Sequence, residues 1–358
     1  MSMTKIFFAG AGTAGHVEPA LAVANYLRES HPEISCHFLG TASGIETTLV
    51  SNAGFPLHLI EKVPFPRRPN VAALKWPLRF RQTLREVEEL ISGSDLIIGF
   101  GGYVAAPAYL AARRSGIPII AHEANAKMGL ANRLARRCGA TMLDAFSKDP
   151  SVQVGIPLRP SIVDLAGADR EQRAFLKKEA LRAMNLDPDA PTILVFGGSL
   201  GSVKFNETIQ GSQKELARSG FQIIHAVGGK NEVPQAQAGY LPISYIEDMA
   251  QAYAASDLVI SRSGAVTVTE TGVLGIYTLY VPLPIGNGEQ AENAKVVTES
   301  GGGEIIKNAA FTSDWLLANA ERLMRNAKNY SSSGVRLDSP LDASSKIASR
   351  ALQVINHE

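Results

Sequence analysis

The stretch "GAGTAGH", residues 10–16, follows the apolar run "KIFFA" and combines a glycine-rich turn with an imidazole. Gly10, Gly12 and Gly15 spell G-x-G-x-x-G, a pattern that lets backbone N–H groups approach an anion at a helix start. His16 stands at the mouth of that turn, and an imidazole there can accept a proton from a substrate hydroxyl near neutral pH. An isolated histidine at a helix start is more often a cap or a packing group, so His16 needs partners before it counts as a base. A nicotinamide cradle further requires a carboxylate at the end of the second strand, about 20 residues on, to hold ribose hydroxyls. That strand ends "HFLGTASG", and Glu29 and Glu33 precede it, so a nicotinamide-dependent oxidoreductase is the weaker alternative.

Other turns carry further chemistry. "GGSLG", residues 197–201, fits the G-x-S-x-G nucleophile elbow, but a hydrolase triad needs an acid and then a histidine downstream. Only His225, inside an expected strand, and His357, beside the chain end, follow. Ser199 therefore reads as a hydroxyl that binds an anionic group. "SRSGAVTVTETG", residues 261–272, places Gly264 before a helix start and Glu270 two turns inside, an arrangement that can cradle a diphosphate and hold a ribose. The bland reading is a capped helix with a solvated glutamate. "HEAN", residues 122–125, ends another strand, and "GNGEQAENA", residues 286–294, opens a helix with Gln290 and Asn293 on one face, where amides suit sugar hydroxyls. The "DPD" of residues 187–189 lies at a strand's amino end and reads as a turn, not as a metal site.

These turns need strands to position them. Apolar runs at 6–9, 37–39, 57–60, 96–99, 119–121 and 141–143, then at 192–196, 222–226, 243–245, 258–260 and 278–281, alternate with helical patterns. The alternation predicts βαβ units with parallel sheets buried on both faces. It runs twice, and "TILVFGGSLGS" repeats the strand, turn and helix of "KIFFAGAGTAGH". The chain therefore reads as α/β, with two Rossmann-like doubly wound domains. The expected bounds are 1–160 and 161–340, with 341–358 as a final segment. The ligand loops of both domains should line an interdomain cleft.

Composition agrees. The 358 residues exceed one typical domain of roughly 100–200 residues. A net charge of +1 gives no reason to expect nucleic acid as partner. Cys36 and Cys138 show no metal-ligand or C-x-x-C spacing, which fits a reducing, cytosolic setting. No run approaches the ~18 apolar residues of a spanning helix. The segment 62–85, "KVPFPRRPNVAALKWPLRFRQTLR", carries seven basic residues and no acidic one. Trp76, Phe80 and Leu84 recur at helical spacing beside Arg79, Arg81 and Arg85, a surface that can rest on an anionic membrane. Its bland reading is a helix packed on the sheet, a use expected of Leu84, Val87 and Ile91.

Taken in order, "GAGTAGH", "GFGGYVAAP", "HEAN", "GIPLR", "GGSLGS", "YIEDM", "SRSGAVTVTE" and "EQAENA" resemble the MurG family of GT-B glycosyltransferases, which make lipid II for bacterial peptidoglycan. The resemblance implies a final helix, 341–358, that crosses back to the first domain, and transfer of N-acetylglucosamine from UDP-GlcNAc to the C4 hydroxyl of the muramyl sugar of lipid I. Transfer would proceed with inversion and without cofactor or metal, as a step of cell-wall synthesis serving cell shape and division. It implies His16 as the leading base, with Glu123 second. Thr13, Ala14, Gly15 and Asn125 would be donor-sugar and cleft contacts. Arg159, Ser199, Ile246, Ala265, Val266, Thr267, Val268, Thr269 and Glu270 would form the nucleotide site, with Glu270 on the ribose, and Gln290 would read the sugar hydroxyls. The basic segment matches the family's membrane patch, implying a cytoplasmic protein peripheral on the inner face of the cell membrane. Ala11, Ala14, Ala124, Ile156 and Leu200 depart from the family pattern, each losing backbone freedom or an amide near the ligand. A related GT-B enzyme with a different acceptor is the same-class alternative.

Overall fold

The computed structural model describes residues 3–63, 71–284 and 288–356, with the backbone only at 71–75. Residues 64–70 of the basic segment, Gly286 of the "GNGEQAENA" turn and His357 lie outside the described residues. The chain divides into two compact units, residues 1–159 with 340–358, and residues 160–339.

In the first unit six parallel strands, β1 (Thr4–Gly10), β2 (Ile34–Gly40), β3 (Leu57–Leu59), β4 (Leu96–Gly101), β5 (Ile119–Glu123) and β6 (Thr141–Asp144), form one sheet in the order β3-β2-β1-β4-β5-β6. Successive side chains of a strand point to opposite faces, and here both faces are covered. Ile6, Phe8, Leu96 and Ile98 meet Val17, Ala20 and Leu27 of the helix Ala14–Ser30 and Ile347, Ala348 and Ala351 of the final helix Ala343–Ile355. Phe7, Ala9, Ile97 and Ile119 meet Leu84 and Val87 of the helix Val71–Leu90 and Ala108, Tyr109 and Ala112 of Ala105–Ser115. The near-continuous apolarity of β1 and β4 follows from that double burial.

The second unit repeats the plan. Its strands β7 (Thr192–Phe196), β8 (Gln222–Ala226), β9 (Tyr240–Ile243), β10 (Leu258–Ser261), β11 (Thr278–Tyr280) and β12 (Gly303–Ile305) pair in the order β12-β11-β10-β7-β8-β9, all parallel. Ile193, Val195, Ile223 and Ile260 pack on Phe205 and Ile209 of the helix Val203–Arg218 and on Leu316, Leu323 and Met324 of Ser313–Ser333. In each sheet the chain reverses its winding direction between the two central strands, and ligand loops in such sheets gather there, at the carboxyl ends.

Two strands differ from the sequence reading. β9 occupies 240–243, not 243–245, and contains Pro242 opposite His225; as an edge strand it tolerates a residue that cannot donate to a ladder. β12 lies in the glycine-rich "GGGEII", which carries no strand signal. A Cβ at Gly303 would fall 2.2 Å from the Thr278 carbonyl oxygen, so the glycine that weakens the strand signal is what lets β12 pair closely with β11.

Candidate functional site

In the first unit the site residues gather on loops at the carboxyl edge of the sheet. Thr13 is the N-cap of the helix Ala14–Ser30 in extended conformation, and no side chain caps that helix. The first-turn N–H groups, which include those of Ala14 and Gly15, are the groups a helix start offers to an anion. His16 is half-buried, with its Nδ1 3.1 Å from Thr13 Oγ1. Burial lowers the His16 pKa, opposed by the Ala11 carbonyl and by the negative charges of Glu123 and Glu46. The net effect favours the neutral imidazole, the form that accepts a proton.

The loop after β4 closes on this turn. Gly102 has φ +84°, and a Cβ there would lie 2.1 Å from the Ala11 carbonyl oxygen, so only glycine lets the two turns abut.

Glu123, at the end of β5, is buried, and both of its oxygens are engaged. Oε1 accepts from the Asn125 N–H at 3.0 Å and from Asn125 Nδ2 at 3.1 Å. Oε2 accepts from the Gly129 N–H at 2.8 Å and from Asn132 Nδ2 at 2.9 Å. This is the environment of a carboxylate that shapes a loop, and it holds Asn125 in place. Neighbouring His122 is fully buried, donates from Nε2 to the Gly155 carbonyl at 2.8 Å and leaves Nδ1 without a hydrogen bond among the described residues. Arg159 pairs with Glu18 of the first helix at 3.6 Å, so it stands with the residues of this unit.

Glu46, absent from the sequence reading, is the carboxylate nearest in role to the one a dinucleotide cradle requires. It comes six residues after β2 ends, folds back, and accepts the Gly12 N–H at 3.0 Å. The acid is spent on the turn itself rather than offered to a ribose.

The second unit holds the other set. Ser199 lies in the turn after β7, beside Gly201, where a Cβ would meet the Val227 carbonyl oxygen at 2.0 Å. Leu200 is 64% exposed at this turn. Ser202 caps the next helix, and its Oγ accepts from Arg262 Nη2 at 2.9 Å, while the Arg262 guanidinium stacks 4.7 Å over the Phe205 ring. Arg262 thus braces this turn from the end of β10, a role its position in "SRSG" did not reveal.

The helix Ala265–Leu274 starts at Gly264 with no side-chain cap, leaving its first-turn N–H groups, at Ala265, Val266 and Thr267, without intrahelical acceptors. Val268 and Thr269 are fully buried, and Ile246 is buried. Ser263 Oγ and Thr269 Oγ1 are buried with no hydrogen bond among the described residues. Glu270 is 2% exposed and accepts from the Tyr253 hydroxyl at 2.9 Å, which removes the reading of a solvated helix glutamate. Gln290 is half-buried and its Oε1 accepts from the Leu283 N–H at 2.9 Å. Asn293, read as a second sugar-facing amide, is instead fully buried and donates to the Ser263 carbonyl at 3.3 Å.

Along the basic segment the described part is also mixed. Leu84, Val87 and Ile91 are core, which removes Leu84 from any exposed stripe. Trp76 stacks on Phe80 at 4.8 Å, Leu78 is 74% exposed, Arg81 and Arg85 face solvent, and Arg79 pairs with Glu61. Among the described residues no helix is long and apolar enough to cross a membrane, and no three His, Cys, Asp or Glu side chains cluster as metal ligands. Asp187 accepts the Asp189 N–H at 3.0 Å within the "DPD" turn.

Comparison with known proteins places both units. The family described as glycosyltransferase family 28 N-terminal domain matches residues 6–143, and its C-terminal domain counterpart matches residues 192–341. A UDP-N-acetylglucosamine--N-acetylmuramyl-(pentapeptide) pyrophosphoryl-undecaprenol N-acetylglucosamine transferase of Corynebacterium glutamicum is 44% identical over 99% of both chains. A protein of the same name from Streptomyces coelicolor is 45% identical over 88% of this chain and 87% of its own. Among solved structures, Acinetobacter baumannii MurG superposes with a TM-score of 0.70 at 28% identity, over 98% of this chain and 99% of the other. The calicheamicin glycosyltransferase CalG4 shares the fold, with a TM-score of 0.60 at 18% identity over 99% of both chains. Nothing in these matches supports a nicotinamide-dependent oxidoreductase.

Proposed function

The chain belongs to glycosyltransferase family 28, and we infer from that membership that it is a UDP-GlcNAc-dependent N-acetylglucosaminyltransferase of peptidoglycan synthesis, with lipid I as acceptor and lipid II as product. The finer reading concerns which residues do the work. His16 takes the proton of the acceptor C4 hydroxyl as that oxygen attacks the anomeric carbon of N-acetylglucosamine. UDP leaves from the opposite face in the same step, so the anomeric configuration inverts.

The departing diphosphate gathers negative charge. The uncapped start of the helix Ala265–Leu274 and the Ser199 hydroxyl are suited to receive it. Glu270, oriented by Tyr253, holds the ribose, and Ile246 packs beside the base. Gln290 meets the sugar hydroxyls. Asn125, locked by Glu123, and the turn of Thr13, Ala14 and Gly15 serve the sugars, and Arg159 serves the phosphates. Arg81, Arg85 and the exposed Leu78 meet the anionic membrane surface on which a lipid-linked acceptor resides.

One observation carries the assignment of the base: His16 is oriented by Thr13 and kept neutral by burial at the mouth of the glycine turn. The test is incubation of the purified full chain with radiolabelled UDP-GlcNAc and a lipid I analogue, with the anomeric configuration of the product read by NMR. A β-linked disaccharide from the α-linked donor is expected. No transfer, or retention of configuration, overturns the reading.

A further inference from the structure

Glu46 is fully buried. It is the first residue of the short helix Glu46–Asn52. Its Oε1 accepts from the Thr41 N–H at 2.9 Å and the Thr41 hydroxyl at 3.0 Å, and its Oε2 accepts from the Gly12 N–H at 3.0 Å. An acid at a helix start is commonly a local charge for the macrodipole, but that role needs no bond to a residue 34 positions away.

The surroundings are shaped to let the side chain through. A Cβ at Gly40 would stand 2.6 Å from Glu46 Cγ, and one at Gly44 would stand 2.1 Å from its carboxyl atoms. Burying a carboxylate is costly unless its oxygens are hydrogen-bonded, and here the bonds are made to the tip of β2 and to the glycine turn.

We propose that Glu46 is a positioning residue of the transfer reaction: through the Gly12 N–H it fixes the first glycine turn and so sets where the His16 ring stands. The link is short in sequence. Gly12, with φ +94°, precedes Thr13, whose hydroxyl is 3.1 Å from His16 Nδ1.

Glu46 also acts on His16 by its charge. Among the described residues the groups whose charge reaches this imidazole are Glu123 and Glu46, both of which raise its pKa against the stronger effect of burial. When the acceptor proton arrives, the imidazolium that forms is favoured by the two carboxylates.

This proposal rests on the reading of His16 as the base. Its test compares the wild-type chain with Glu46→Gln, Glu46→Asp and Glu46→Ala in the lipid I analogue assay, measuring kcat, KM for UDP-GlcNAc and the pH dependence of kcat. Glu46→Gln removes the charge, and because its amide has a single acceptor oxygen it also gives up either the Thr41 N–H or the Gly12 N–H bond: kcat falls about tenfold, KM stays within about twofold, and the acid limb of the profile moves to lower pH, because removing a negative charge makes His16 harder to protonate. Glu46→Ala also frees the turn, and kcat falls about a hundredfold. Glu46→Asp restores a carboxylate, recovers part of the alanine loss and returns the acid limb to its wild-type place. The proposal is overturned if Glu46→Gln keeps the wild-type kcat and acid limb. It is equally overturned if losses only track a lowered melting temperature with the pH profile unmoved. A wild-type chain that transfers nothing overturns the functional reading and this proposal with it; the other two outcomes overturn the proposal alone.

Discussion

Replacing Glu123 by glutamine separates a carboxylate that braces a loop from one that moves a proton. Glu123 Oε1 faces two donors on Asn125, and Oε2 faces the Gly129 N–H and Asn132 Nδ2. A glutamine amide has one oxygen and one NH2. Whichever way it turns, two of the four bonds are lost and an NH2 is pressed against two donors. A hydrogen bond to a charged group contributes about 1.5–3 kcal/mol, so with some relaxation the loss is about 3 kcal/mol.

At about 2–4 °C per kcal/mol for a domain of this size, the first unit should melt about 6–12 °C lower. Differential scanning calorimetry of the full chain reads that shift. At 25 °C, where the fold survives, kcat should fall less than about tenfold, since loss of a general base costs about 10²–10⁴. An unshifted melting temperature together with a thousandfold loss of kcat would instead make Glu123 the proton acceptor.

Three further outcomes follow from the same geometry. Gly102→Ala places a Cβ 2.1 Å from the Ala11 carbonyl oxygen at φ +84°, and should cost about 2–4 kcal/mol in urea unfolding; a wild-type midpoint would mean that the two turns do not abut rigidly. His225, 1% exposed between Tyr240 and Asn206, has its pKa lowered by burial to about 4. Between pH 6.5 and 4 the unfolded chain binds the extra proton, so stability falls with pH across that window by about 3 kcal/mol, and His225→Gln should flatten that part of a chemical-denaturation series. Charge reversal at Arg81 and Arg85 should lower sedimentation with anionic vesicles about tenfold or more and leave neutral vesicles unaffected; equal binding by the variant would remove this face from the membrane reading.

Much of the fold is legible because buried parallel strands write themselves as apolar runs. β1, β4, β7 and β10 declare themselves in this way, and the glycine turns mark their carboxyl ends. The edge strands do not, since β9 carries Pro242 and β12 begins on Gly303, residues that an interior strand would reject. In the site, His16, Glu123 and Glu270 were visible from their places after strands or inside a helix start. Their surroundings were not: the burial of Glu270 against Tyr253 and the four bonds of Glu123 depend on tertiary packing. Glu46 was invisible because five loop residues separate it from the end of β2, and only the return of the chain brings it to Gly12. Arg262 was hidden for a similar reason, as its partner Ser202 lies 60 positions away.

Whether a neutral His16 takes the acceptor's proton during sugar transfer is decided by single-turnover transfer with His16→Ala. The rate should fall by about 10²–10⁴ with UDP-GlcNAc binding unchanged, and the wild-type profile should have its acid limb below pH ~6.5, because burial lowers the pKa of this imidazole. Transfer to lipid I at the wild-type rate by His16→Ala would contradict that role.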